Sequence, residues 1–264
     1  MTWAGPIAII GAGQLGSALL EGLLWAGYDP RLLRVSTRRP GHATELAARH
    51  GVTALPLADA VRGAALVVAA ARPGQMPEVV AQIAAHIAPA AGFVSMAGAP
   101  DHATLAGLLP GGIPVVRAMP NPAMAAGAGL TGFNPAPGCP EQTASRVREL
   151  FGELGTVIDV PEDRLGTIGS LAGHGQAVCY YVADALEQWG VLQGLGRAET
   201  RQIVAAALAG ATRMLTAGDR SPAELQHRLC TPGGTTIRTV SELDASGVRG
   251  AVIASIDGGR FAQD

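Results

Sequence analysis

The sequence predicts an α/β protein, an N-terminal doubly wound parallel sheet followed by an all-helical domain, on three observations. Short apolar runs of strand type recur through the first part of the chain and alternate with helical stretches or turn residues. A glycine-rich turn separates the first such run from the first helical stretch. After about Glu162 the strand signals fade, and apolar residues recur at the spacing of a helix face. The change of character predicts two domains, residues 1–161 and residues 162–264.

Taken in order, the strand-like runs are Ile7–Ile10, Leu32–Ser36, Ala65–Ala71, Gly92–Ala97, Val115–Ala118 and Thr156–Val160. Ala65–Ala71 is apolar at nearly every position, as a strand covered on both faces must be. It breaks at Arg72-Pro73-Gly74, and Ser95–Gly98 and Met119–Pro122 end two further strands at the same predicted sheet edge. Helices are expected over Leu171–Leu192 and Ala198–Leu215, with glycines 190, 194, 196 and 218 marking helix ends. Ser221-Pro222-Ala-Glu224 reads as a capped helix start with proline in the first turn. Val178–Val191 and Ile203–Ala211 are apolar around much of their circumference, more than one helix on a domain surface can bury. A partner chain is the expected cover, burial within one subunit the alternative.

Gly-Ala-Gly-Gln-Leu-Gly at 11–16 lies between the run Ile7–Ile10 and the helix-like stretch Ser17–Leu24, the context of a dinucleotide fingerprint. Gly11 permits the tight turn, Gly13 lets the backbone approach a pyrophosphate, and Gly16 lets helix and strand pack closely. Gln14 and Leu15 open the helix whose positive end faces the phosphate charge. About twenty residues on, a chain that binds NAD usually places a carboxylate against the ribose 2′-hydroxyl. Here Ser36-Thr37-Arg38-Arg39 has none. Hydroxyls and guanidinium forks suit a 2′-phosphate, so NADPH is favoured and NADH is the alternative. The other reading of Arg38 and Arg39 is a pair of solvated loop cations. Arg72 and Pro73, at the end of their strand, complete the expected cofactor site.

Composition bounds the function. The 264 residues are 48% hydrophobic and 15% charged, with a formal charge of −2 and no basic run to serve a nucleic acid. No apolar stretch reaches the length of a membrane span, and no basic segment precedes an apolar signal core, so the cytoplasm is the expected compartment. Cys139, Cys179 and Cys230 are far apart with no C-x-x-C pair, which predicts reduced thiols and no metal site.

Together, the fingerprint at 11–16, Arg117-Ala-Met-Pro-Asn121, Leu171-Ala-Gly-His-Gly-Gln-Ala177 and Thr231-Pro-Gly-Gly-Thr-Thr-Ile237 resemble the pyrroline-5-carboxylate reductase family in identity, order and spacing. Gly247-Val-Arg-Gly-Ala-Val-Ile253 resembles that family's carboxyl-terminal helix. The resemblance spans essentially the whole chain. It implies a Rossmann domain joined to a helical dimerisation domain, a homodimer or larger homo-oligomer, and reduction of a cyclic imino acid's C=N bond by NAD(P)H to give proline. It places Thr231, Gly233, Gly234 and Thr235 at the substrate and Thr236 where it can assist protonation of the imine nitrogen. Consecutive glycines before a helix offer N–H groups and a positive helix end to a carboxylate. The resemblance also sets Asn121 near the nicotinamide; on its residues alone, Asn121-Pro122 is equally a turn.

The chain departs from the family pattern L-S-G-S-G-P-A-Y, which here reads Leu171-Ala-Gly-His-Gly-Gln-Ala-Val178. His174 replaces a serine, and imidazole titrates near neutral pH, so it is a candidate proton donor or substrate hydrogen-bonding group. A local packing role is the alternative. Tyr180 and Tyr181 read as core or interface aromatics. These departures keep two other readings open, an imine reductase acting on a different cyclic imine in specialised metabolism and a non-catalytic cofactor-binding homologue. A β-hydroxyacid dehydrogenase would need a lysine, and all 19 basic residues of the Lys and Arg class are arginines.

Overall fold

The computed structural model describes residues 5–258 and divides into two compact units, the first running to Gly173 and the second beginning at His174. The first unit is built on an eight-stranded sheet of β1 (Ile7–Ile10), β2 (Leu33–Ser36), β3 (Thr53–Ala54), β4 (Leu66–Ala69), β5 (Gly92–Ser95), β6 (Val115–Pro120), β7 (Gly129–Pro135) and β8 (Gly155–Asp159). Their order is β3-β2-β1-β4-β5-β6-β7-β8. The first six follow the doubly wound dinucleotide-binding order, which reverses direction between β1 and β4.

Alternation along the central strands decides which helices cover which face. Ile7 and Ile9 of β1, Leu33 and Val35 of β2 and Val68 of β4 point to one face. There they pack with α1 (Gln14–Trp25), α2 (Pro40–His50) and α6 (Glu141–Gly152) through Leu19, Leu23, Leu46 and Phe151. Ala8, Ile10, Val67, Ala69 and Phe93 point to the other. They meet α3 (Leu57–Val61), α4 (Met76–Ile83) and α5 (His102–Leu108) through Val61, Met76, Val80 and Leu105. Both faces are buried, which is why these strands read as continuous apolar runs.

Three features differ from the sequence-based expectation. The sheet is not wholly parallel, because β7 runs antiparallel to β6, with Ala118 opposite Phe133, while β8 returns parallel to β7. Neither β3 nor β7 was expected. Gly190 lies inside a helix, not at its end, because α7 runs unbroken over Leu165–Leu192. A glycine is needed there since a Cβ would meet Thr200 Cγ2 at 2.5 Å. The helix end falls at Gly194, with φ +92, and Gly196 then caps α8 (Arg197–Thr216).

The second unit holds the rest of α7, then α8, α9 (Pro222–Leu229), α10 (Thr235–Ala245) and α11 (Val248–Gly258). No strand occurs in it among the described residues. The start of α9 is a capping box: the Ser221 hydroxyl accepts from the Glu224 N–H, and the Glu224 carboxylate accepts from the Ser221 N–H at 2.7 Å.

Candidate functional site

A cleft of about 790 Å³ opens at the carboxyl ends of β1, β2 and β4, where the strand order reverses. Gly11, Ala12 and Gly13 form one wall and Ala70, Ala71 and Arg72 another. Gly11 has φ +89, and a Cβ there would press on the Ala70 backbone at 3.1 Å. At Gly16 a Cβ would sit 2.5 Å from the Gly11 carbonyl, so only glycine lets α1 approach β1 this closely. Gly13 has nothing within 4 Å of where a Cβ would stand: its open space belongs to whatever the cleft receives. No side chain caps the amino end of α1, leaving its first-turn N–H groups available to an anion. These features fit a pyrophosphate. Gln14, Leu15 and Gly16 form that first turn without lining the cleft.

The rim after β2 is Ser36, Thr37, Arg38 and Arg39, all four lining the cleft. Thr37 Oγ1 donates to the Arg39 carbonyl at 2.6 Å and folds the segment into a tight loop. Both arginine side chains are exposed. Among the described residues lining the cleft, Glu78 of α4 alone is acidic, and its carboxylate accepts from Gln82 Nε2 at 3.2 Å. The rim itself carries cations and hydroxyls alone, a setting that fits a 2′-phosphate.

Pro73 does not line the cleft; it starts a short 3-10 turn just beyond Arg72. Asn121 is also outside it and nearly buried. Its Oδ1 accepts from the Leu130 N–H at 2.9 Å and its Nδ2 donates to the Ala172 carbonyl at 3.2 Å. The side chain thus ties the end of β6 to β7 and α7.

Sequence reasoning did not assign a buried polar network along the same sheet edge. Arg117, 3% exposed on β6, donates through Nη1 to Glu162 Oε1 at 2.7 Å and through Nη2 to the Gly98 carbonyl beyond β5. The same carboxylate oxygen accepts from the His102 N–H at 2.6 Å. His102 Nε2–H donates to Asn134 Oδ1 at 2.8 Å, and Asn134 Nδ2 donates to the Val160 carbonyl at 2.8 Å. One carboxylate therefore joins the loop after β5, the start of α5 and the segment leading into α7. Asp101 caps α5 beside it. Hydrogen bonds from Thr104, with a smaller contribution from the Arg117 charge, hold its carboxyl below the usual value.

In the second unit Thr231–Gly234 closes a turn through the Gly234 N–H to the Thr231 carbonyl at 3.0 Å. Gly233 takes φ +70, and a Cβ on Gly234 would collide with Thr231 Oγ1, so both glycines are required. Gly234 then caps α10 with no side-chain acceptor, and Thr235 and Thr236 in its first turn are exposed. The turn offers hydroxyls and helix N–H groups together, as a carboxylate ligand needs. His174 is half-buried on α7. Tyr180 and Tyr181 are 66% and 80% exposed; Gln176 Nε2 donates to the Tyr180 hydroxyl at 2.8 Å. Trp189, Leu192, Ile203, Leu229 and Ile253 also leave large apolar surfaces open. Among the described residues no cluster of metal-ligating side chains occurs and no helix is long and apolar enough to cross a membrane.

Residues 162–260 match the family model for pyrroline-5-carboxylate reductase dimerisation, and residues 6–98 match the model described as NADP oxidoreductase, coenzyme F420-dependent. The pyrroline-5-carboxylate reductase of Mycobacterium tuberculosis is 35% identical, over 95% of this chain and 92% of its own. That of Corynebacterium melassecola is 32% identical over 93% and 92%. The solved 1-pyrroline-5-carboxylate reductase of Streptococcus pyogenes is 26% identical, with a TM-score of 0.85 over 96% of this chain and 95% of its own. The Plasmodium falciparum pyrroline carboxylate reductase with NADP bound shares the fold, at 20% identity and a TM-score of 0.86, over 96% and 94%.

Proposed function

Because the chain belongs to the pyrroline-5-carboxylate reductase family, we propose that it reduces the C=N bond of 1-pyrroline-5-carboxylate to give proline, with NADPH as the preferred reductant. The observation that carries this reading is the cleft at the strand-order reversal, with a glycine turn on one side and the carboxylate-free rim Ser36–Arg39 on the other.

NADPH, when bound, supplies the hydride. The chain's own groups bind, orient and exclude water. Gly11, Gly13 and the first turn of α1, with Gln14, Leu15 and Gly16, hold the pyrophosphate. Ser36, Thr37, Arg38 and Arg39 hold the 2′-phosphate, with Arg72 beside the cofactor and Pro73 starting the turn just beyond it. Asn121 supports the nicotinamide end through the backbone it fixes. The uncapped turn at Thr231, Gly233, Gly234 and Thr235 receives the substrate carboxylate. Hydride addition to the imine carbon is easiest when nitrogen carries a proton. Thr236 supports that protonated nitrogen, and His174 donates a proton or hydrogen bond.

The division into residues 1–161 and 162–264 belongs to the same reading, supported by the reach of the dimerisation model; residues 1–4 and 259–264 lie outside the described structure. The chain is a homo-oligomer in this reading, a dimer or larger, whose apolar helix faces in the second unit are covered by a second copy. No nucleic acid or membrane takes part. Its compartment is the cytoplasm, in keeping with free thiols at Cys139, Cys179 and Cys230.

The test is steady-state turnover of 1-pyrroline-5-carboxylate with NADPH and with NADH. Faster turnover with NADPH is expected. Turnover of a six-membered cyclic imine alone would overturn the substrate, and cofactor binding without turnover of any imine would overturn catalysis.

A further inference from the structure

The arginine-bearing rim is fastened to the fingerprint turn at two points. One is main chain, the Gly11 N–H donating to the Ser36 carbonyl at 2.8 Å. The other is a side chain: His42 Nε2 lies 2.9 Å from the carbonyl of Ala12, a fully buried residue at the centre of the fingerprint. A carbonyl can only accept, so Nε2 carries the proton. The same oxygen accepts from Ser17 Oγ at 3.1 Å, which fixes its direction from inside α1. His42 is equally bound to the rim, because its N–H donates at 3.0 Å to the Arg39 carbonyl that also receives the Thr37 hydroxyl. His42, Arg38, Arg39 and both fingerprint glycines 11 and 13 line one cleft.

We propose that His42 is a positioning residue that determines cofactor choice, holding the Thr37–Arg39 rim at a fixed distance from the fingerprint turn. The proposal rests on the reading of the cleft as an NADPH site. A cofactor with a 2′-phosphate must engage both loops at once, the turn through its pyrophosphate and the rim through its ribose phosphate. The covalent spacing between those phosphates is fixed, so binding is strongest when the loops are already spaced to match. A cofactor with a free 2′-hydroxyl makes its phosphate contacts at the turn alone and gains little from the position of the rim. The His42 clamp thus acts on the difference between the two cofactors.

Equilibrium dissociation constants for NADPH and NADH test this without any imine present. They are measured by nicotinamide fluorescence on the full-length wild type, His42→Leu and His42→Gln. The ratio of NADPH to NADH affinity should fall about tenfold in His42→Leu, the scale of ordering two long side chains. It should be largely restored in His42→Gln, whose amide nitrogen can reach the Ala12 carbonyl. Thermal melting without cofactor separates this from loss of the fold. A His42→Leu protein that keeps the wild-type ratio overturns the proposal, whether both affinities fall together or neither moves. So does a His42→Gln protein that behaves like His42→Leu. A wild type with no preference for NADPH would instead remove the cofactor reading itself, and the clamp's role with it.

Discussion

Replacing Glu162 probes whether the sheet edge is held by a buried charge pair. The Arg117 side chain is 4% exposed and its Nη1 lies 2.7 Å from Glu162 Oε1, while the Glu162 side chain keeps 34% of its surface in water. Breaking a fully buried pair from one side costs about 3–5 kcal/mol, because the remaining charge is stranded in a medium that solvates it poorly. Glu162→Ala also leaves the His102 N–H without its acceptor, about 1–3 kcal/mol more. Water entering beside the half-exposed carboxylate position offsets part of both, so a total of about 3–4 kcal/mol is expected. That is a large share of the roughly 5–15 kcal/mol that holds an ordinary domain. Glu162→Gln retains an acceptor and loses only the charge, and should cost about half as much. Equilibrium urea unfolding at neutral pH measures both. A loss below about 1 kcal/mol for Glu162→Ala, the level of a solvated surface pair, would refute the reasoning. The double variant Arg117→Met/Glu162→Met should recover stability relative to Glu162→Ala, since no buried charge remains.

Other outcomes follow from the same geometry. Gly16→Ala drives a Cβ onto the Gly11 carbonyl, and overpacking of about 1–3 kcal/mol exceeds the roughly 1 kcal/mol gained in helix propensity, so both melting temperature and NADPH affinity should fall. His174→Ala should lower kcat/KM for the imine about a hundredfold, as expected for loss of a proton donor; wild-type turnover and substrate preference in that variant would remove His174 from the mechanism. Asp101 has a carboxyl held below its ordinary 3.8 by Thr104, so its contribution to stability is complete above that value and lost as pH falls through the lower folded value. The stability gap between wild type and Asp101→Asn should therefore close on acidification below about pH 4, which urea midpoints at several pH values can follow. Thr236→Ala should lower kcat for imine reduction while NADPH affinity, measured by fluorescence, stays in the wild-type range.

Much of the first unit was legible because its strands are buried on both faces. Ile7–Ile10 and Leu66–Ala69 carry an unbroken apolar run that no turn interrupts, and Gly11–Gly16 announces the crossover that follows. The missed strand β7 reads Gly-Leu-Thr-Gly-Phe-Asn-Pro, whose glycines and asparagine resemble a loop; it is a strand because β6 and β8 pair with it on both sides. The end expected at Gly190 follows from glycine's low helix propensity; α7 instead runs through it, because Thr200 packs so closely there that a Cβ would meet its Cγ2 at 2.5 Å.

At the candidate site the local motif was readable and the long-range clamps were not. His42 meets a carbonyl 30 residues away and Glu162 meets Arg117 across 45 residues, separations no periodicity can report. One signal was present: Arg117 stands alone as a charge within the apolar run Val115–Met119, and a buried guanidinium requires an anionic or carbonyl partner. Thr231–Thr236, by contrast, was read by resemblance, and the structure supplies the physical reason for its glycines, a positive φ at Gly233 and a collision barred at Gly234.

The most direct test of the central claim is the fate of the hydride. The purified protein is given 1-pyrroline-5-carboxylate and NADPH carrying deuterium at the transferable position of the nicotinamide, and the product is read by mass spectrometry and NMR. The account predicts proline with one deuterium on the ring carbon that was double-bonded to nitrogen, formed in equal amount to the NADPH consumed. NADPH bound but not consumed, or deuterium absent from the product, would contradict it.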